Sequence, residues 1–167
     1  MDVARLRLGE TVALAGALGL FIALFLDWFG VDGAGVQTEA LLSTSGWGAF
    51  GPVVSAVALV AIALAIALAA STAARRPVAL PVALAVLTSA LGLVALGVLL
   101  VRTLVLQPGL DGGLPNALVT VDVGAVFGLV FAAAIPLGGW LSMADERKDA
   151  PYSAPPNLAP RPAPPAA

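Results

Sequence analysis

Residues 53–70 read VVSAVALVAIALAIALAA, and the lone polar side chain in that run is Ser55. A helix crosses a hydrocarbon core about 30 Å thick with about 20 apolar residues. Extended from about Gly51 to Ala74, this run reaches that length. It has no polar face, so every side of such a helix suits an apolar surrounding. Three further stretches share the pattern: about Leu8 to Phe29 through VALAGALGLFIALFL, Val78 to Arg102, and Thr120 to Met143. Alternation at period two is absent, so an outer-membrane barrel is not expected.

Composition agrees. The chain has 167 residues, 60% hydrophobic and 11% charged, with a mean hydropathy of +1.01. Soluble domains are about 45–50% apolar and about 25% charged. One compact unit of this length cannot hide so much apolar surface from water, so lipid is the expected solvent. There is no cysteine and no histidine. That removes disulfides, thiolate metal sites, cysteine nucleophiles and histidine acid–base chemistry from consideration.

The basic residues set the expected orientation. Arg5 and Arg7 precede the first stretch, Arg75 and Arg76 separate the second from the third, and Arg147, Lys148 and Arg161 follow the fourth. These seven fall on one side and Arg102 alone on the other. By the positive-inside rule the basic side is cytoplasmic, with both termini inside. The first stretch has the basic start of a secretory signal. Its apolar run is too long and its cleavage signal (Gly33-Ala34-Gly35) too weak for one, so retention as a span is expected.

The connections on the far side differ. Within residues 30–50, the segment TEALLSTSGWGAF reads as a partly amphipathic helix leading into the second span, with Pro52 in that span's first turn. Residues 103–119 are rich in turn signals. The end of the chain, APYSAPPNLAPRPAPPAA, holds seven of the thirteen prolines and is expected to be a disordered tail with polyproline II bias. Its Pro162–Pro165 spacing fits a PxxP ligand, but a solvated tail is the favoured reading.

Charges near the far ends of different helices form the candidate cluster: Asp27, Arg102 and Asp122. A cation at a helix C-terminus and an anion at an N-terminus are each favoured, which suits Arg102 and Asp122. Asp27, an anion at a C-terminal end, needs a partner: an Asp27–Arg102 pair, open to sharing with Asp122, is one reading, and each charge snorkelling to the interface is the other. Glu10 reads as an interfacial residue within helical reach of Arg7. Trp28, Trp47 and Trp140, with Phe29 and Phe50, read as the aromatic belt at the lipid–water boundaries. Gly124 and Gly128 form a GxxxG, and Ala61, Ala65 and Ala69 a row of small residues, both suited to close helix packing. Pro136 is expected to kink the fourth helix and free the carbonyl of Ala132. Thr88, Ser89 and Ser55 are the notable polar groups within the spans, and the midplane holds no ionisable residue.

Several of these stretches resemble a group of uncharacterised four-helix integral membrane proteins from actinobacteria: FLDWF at 25–29, SGWGAF at 45–50, LPVALAVLT at 80–88, LVR at 100–102 and GGWLSMADE at 138–146. The chain departs from that pattern at Asp27, where proline is expected. The resemblance implies a fold and a membrane address, and no activity.

The expected fold is all-α: a four-transmembrane-helix bundle over residues 8–143 (about 8–29, 51–74, 78–102 and 120–143). Residues 1–7 form a cytoplasmic N-terminus and 144–167 the disordered Pro-rich tail. No catalytic, cofactor-binding or metal-ligating residues are expected, nor nucleic-acid binding. The expected partners are the lipid bilayer of the cell membrane and other membrane proteins or a second copy of the chain. A structural or accessory role leads, ahead of a small transporter or oligomeric channel subunit, because no polar stripe or charged ring marks a pore. A lipid enzyme comes third, since Arg102 stands between its only candidate carboxylates.

Overall fold

The computed structural model describes residues 6–31, 43–74, 79–108 and 118–149. In chain order the elements are α1 (Leu8–Ala23), β1 (Asp27–Val31), β2 (Thr44–Ser45), α2 (Gly46–Ala49), α3 (Pro52–Ala73), α4 (Ala79–Leu104), β3 (Val119–Val121) and α5 (Val123–Asp149). Arg75 and Arg76, most of the two longer connections, and the proline-rich segment 150–167 lie outside the described residues.

The long helices start and stop where local chemistry directs. Gly51 caps α3 and Pro52 occupies its first turn, where a missing N–H costs nothing. Asp122 lies just ahead of α5, its carbonyl accepting from the amides of Ala125 and Val126. α3, α4 and α5 are each long and apolar enough to cross a membrane. α1, with 16 residues, is about 24 Å long, shorter than an ordinary span.

The end of α1 departs from the expectation of a helix to Phe29. The Trp28 side chain turns back and its Nε1–H donates to the carbonyl of Ala23 at 2.7 Å. This takes up one of the carbonyls that a helix C-terminus leaves open. The chain then runs extended as β1. Its neighbours make a three-stranded antiparallel sheet in the order β2-β1-β3. Phe29 faces Thr44 on one side and Val121 on the other, and Gly30 faces Thr120. The all-α expectation therefore misses a small sheet closing one end of the bundle. The expected amphipathic helix over TEALLSTSGWGAF is instead, in its described part, β2 followed by the single turn α2. At the opposite end, Ala144–Asp149 was expected in the tail but continues α5; Ala-Asp-Glu-Arg-Lys-Asp contains neither glycine nor proline to stop it.

The four long helices form a ring. α1 packs along α5, α5 along α4, α4 along α3, and α3 closes on α1. The start of α1, the end of α3, the start of α4 and the end of α5 lie at one end, the tail end. The sheet lies at the other, the sheet end. Small residues set the spacing. A Cβ added at Gly138 would collide with Ala13, and one added at Gly9 with the backbone of Ser142, so α1 and α5 approach almost backbone to backbone. In α4, Gly92 leaves the notch that receives Pro136, a Cβ there lying 3.0 Å from the proline Cδ; α5 runs on as helix past that proline. Ala13, Ala17, Ala61, Ala65, Ala85 and Ala132 are buried in the interior, with Leu20, Leu68 and Ile135. The row Ala61, Ala65 and Ala69 thus faces inward.

Gly124 and Gly128 face the chain's own β1 segment. A Cβ at Gly124 would strike the Asp27 carbonyl, and one at Gly128 the benzo ring of Trp28. Because Cζ2 and Cη2 of that ring are atoms phenylalanine lacks, the two positions should be coupled. Gly128→Ala alone is expected to destabilise by about 1–3 kcal/mol through overpacking. In combination with Trp28→Phe, part of that loss should return. Denaturant unfolding of the double-mutant cycle in micelles measures the coupling; additive losses would refute the seat.

Candidate functional site

Polar groups collect at the two ends of the ring. At the sheet end, Asp27 opens β1 and is exposed, Asp122 leads into α5 and is half-buried, and Arg102 sits in the last turn of α4, also half-buried. The sheet fixes the two aspartates. The Asp122 amide donates to the Trp28 carbonyl at 2.9 Å, and its carboxylate lies over Gly30, where an added Cβ would stand 2.9 Å from Oδ2.

The expected Asp27–Arg102 pair is not formed. Arg102 Nε is buried with no hydrogen-bond partner, and among the described residues no ion pair joins Arg102 to Asp27. The physical reason is the early end of α1. Asp27 opens the central strand of the sheet beside α5, rather than ending a helix near lipid, and its exposure gives it water as an alternative partner. Among the described residues, Thr88 Oγ1, Thr103 Oγ1 and Trp47 Nε1 are also buried without partners. Ser55 and Ser89 do bond to backbone, to the carbonyls of Phe50 and Pro136 at 3.4 and 3.3 Å. The second of these ties α4 to α5.

The aromatic residues divide. Trp140 is 63% exposed on α5, and Trp47 is partly covered, its ring edge-on to Phe21 and Phe25. Trp28 is fully buried and packs edge-on against Phe50, centroids 4.8 Å apart. It is a core residue, not a boundary anchor. Phe29 and Phe50 are buried with it. The reason is again the turn at 24–26, which folds the belt sequence inward.

At the tail end the structure holds a feature that sequence reading passed over. Glu10, expected at the interface, is 3% exposed. Its Oε2 accepts from the Arg7 amide at 2.7 Å and its Oε1 from the Ser142 hydroxyl at 3.0 Å. The carboxylate therefore closes the first turn of α1, as an N3 glutamate does in a capping box, and bolts α1 to α5. Ser142 carried no signal. The Arg7-to-Glu10 spacing at a helix start was the available clue, and the burial follows from Gly9, which lets α5 come so near.

Among the described residues no group of three or more His, Cys, Asp or Glu stands where a metal ion could be held. No family model, curated protein or solved structure matches this chain.

Two outcomes follow for the charges. Glu10→Ala orphans two donors and should cost about 1–3 kcal/mol of unfolding free energy, with Glu10→Gln milder because its amide oxygen keeps one acceptor; micellar unfolding reads both. For Asp27 and Arg102, single neutral substitutions should add within about 0.5 kcal/mol in the double variant. A larger interaction energy would show that the two side chains do pair.

Proposed function

We propose that the chain is a multi-pass protein of the cell membrane, with four spans and both termini in the cytoplasm, acting as a structural or accessory protein that binds other membrane components. The observation that carries this reading is the distribution of apolar surface. The ring interior is filled by buried alanine, leucine and isoleucine, while large apolar side chains such as Ile22, Val53, Leu93, Val130 and Trp140 point outward. Water penalises that arrangement and hydrocarbon does not.

The reading assigns the sheet end to the outside, following the placement of lysine and arginine. α1 counts as the fourth span because it lies along α5, bonded to it through Glu10 and Ser142. A transport role finds less support. Ala61, Ala65, Ala85 and Ala132 close the interior, and no titratable side chain lines it at mid-height, where ion-coupled transporters place theirs. A small transporter or oligomeric channel subunit is the second reading, since several copies could build a pore between them. The resemblance to four-helix actinobacterial membrane proteins supports the same address.

The native chain has no cysteine, so single introduced cysteines report cleanly. With intact cells or right-side-out vesicles, Thr44→Cys should react with an impermeant maleimide and Arg7→Cys only after permeabilisation; the opposite pattern overturns the orientation. Mild-detergent purification should bring down a stoichiometric membrane protein. If the chain instead purifies alone and supports solute flux in liposomes above empty controls, the accessory reading falls.

A further inference from the structure

Between the sheet-end halves of α3 and α4 runs an open apolar groove of about 460 Å³, lined by Pro52, Val53, Ala56 and Val60 from one helix and Leu91 and Val94 from the other. Ligand pockets span about 300–1,000 Å³, so the groove is large enough for more than a solvent molecule. Every lining side chain is apolar, which fits a hydrocarbon chain.

What lies beyond the groove selects the kind of amphiphile. Leu91, Val94, Val98 and Arg102 are spaced by three, four and four residues, which places them on one face of α4. Arg102 follows Val94 by about 12 Å along the helix, at the end where α3 begins with Pro52. Of the eight lysines and arginines, Arg102 is the one whose sequence position is at the sheet end. Its Nε is buried and unpartnered. A guanidinium presents a planar fork of donors that matches phosphate oxygens, and a partly desolvated cation gains most from an anionic acceptor. Thr103, with its own unpartnered buried hydroxyl, adjoins it in sequence.

We propose that this groove is a binding site for one anionic phospholipid, with an acyl chain lying between α3 and α4 and the phosphate held by Arg102. The site rests on the membrane reading above and adds a ligand class to it. Charge complementarity chooses the anionic head group, and the apolar groove chooses a lipid over free phosphate. Ala56 is exposed on the groove wall, so Ala56→Phe can fill it without disturbing the interior.

The test uses the full chain in micelles, offered equal amounts of dioleoylphosphatidylglycerol and dioleoylphosphatidylcholine, with bound lipid read by native mass spectrometry. One retained lipid is expected, with about a fivefold preference for the phosphatidylglycerol, the effect of one basic side chain near a membrane surface. Arg102→Gln should abolish the preference while Arg102→Lys keeps much of it. Ala56→Phe should lower retention of both lipids. Unfolding midpoints close to wild type show that each variant is intact. Equal retention of the two lipids, a preference that survives Arg102→Gln, or retention indifferent to Ala56→Phe overturns the site. A chain that stays folded and monodisperse in plain buffer without detergent instead overturns the membrane reading beneath it.

Discussion

The structure depends on the burial of one indole. Trp28 bonds to the Ala23 carbonyl, lies against Gly128 of α5, packs on Phe50 and leaves Gly46 room for no side chain, an added Cβ standing 2.9 Å from its Nε1. Each contact determines a different part of the fold. The hydrogen bond helps end α1 seven residues after Gly16. The glycine seat sets how near β1 comes to α5, and from it follows the Asp122 amide's bond to the Trp28 carbonyl, which joins the two strands. The Phe50 contact brings the α2 turn under the sheet and aims α3 back along the bundle. In lipid, helices gain little from hydrophobic exclusion and associate through close contact, so an aromatic ring fitted to a glycine is an effective anchor.

That same residue marks where the sequence stops being legible. Apolar length and the absence of a polar face located all four long helices, because the hydrocarbon requirement acts on every residue of a span at once. Pro52 at the start of α3 and the inward row of alanines were equally readable, as each is a local rule. The fate of FLDWF was not. As a string it continues an apolar helix into an aromatic boundary, and nothing local distinguishes a tryptophan facing headgroups from one folded onto a glycine 100 residues later. The GxxxG announced a close approach without naming the partner, which is β1. The charge cluster failed for the same reason: placing Asp27 at a helix end created a need for Arg102 that the sheet removes. Glu10 failed in the other direction, since its burial depends on how near Gly9 allows Ser142 to come.

Polar groups in this chain are handled locally. Ser71 and Thr72 bond back to the Leu68 carbonyl, Ser55 to Phe50, and Glu10 to the turn it caps. Two side-chain bonds among the described residues, Ser89 to Pro136 and Ser142 to Glu10, cross between helices, and both bind α5 to a neighbour. This makes α5 the hub of the ring. It meets α1 through small residues and a carboxylate, α4 through a proline in a notch, and the sheet through Trp28. A conventional pore would need polar groups aimed at a common axis; here Ser55, Ser71, Thr72 and Ser89 are aimed at backbone.

The short α1 then has a coherent explanation. At 16 residues it falls below the roughly 20 needed for a span, yet it ends beside three longer helices. Backbone that leaves a helix at membrane depth must find hydrogen bonds within the protein. β1 does so by being the central strand, with β2 on one edge and β3 on the other, while Trp28 attends to the helix end itself. The sheet is therefore what permits α1 to stop early, its backbone hydrogen bonds being taken up by β2, β3 and Trp28. Its two outer strands are only two and three residues long, too short to offer an edge for pairing with another chain. Among the described residues, the broad surface left to meet other molecules is the apolar exterior of the helices, and along it the α3–α4 groove below Arg102 is where a recess and a cation share one helix face.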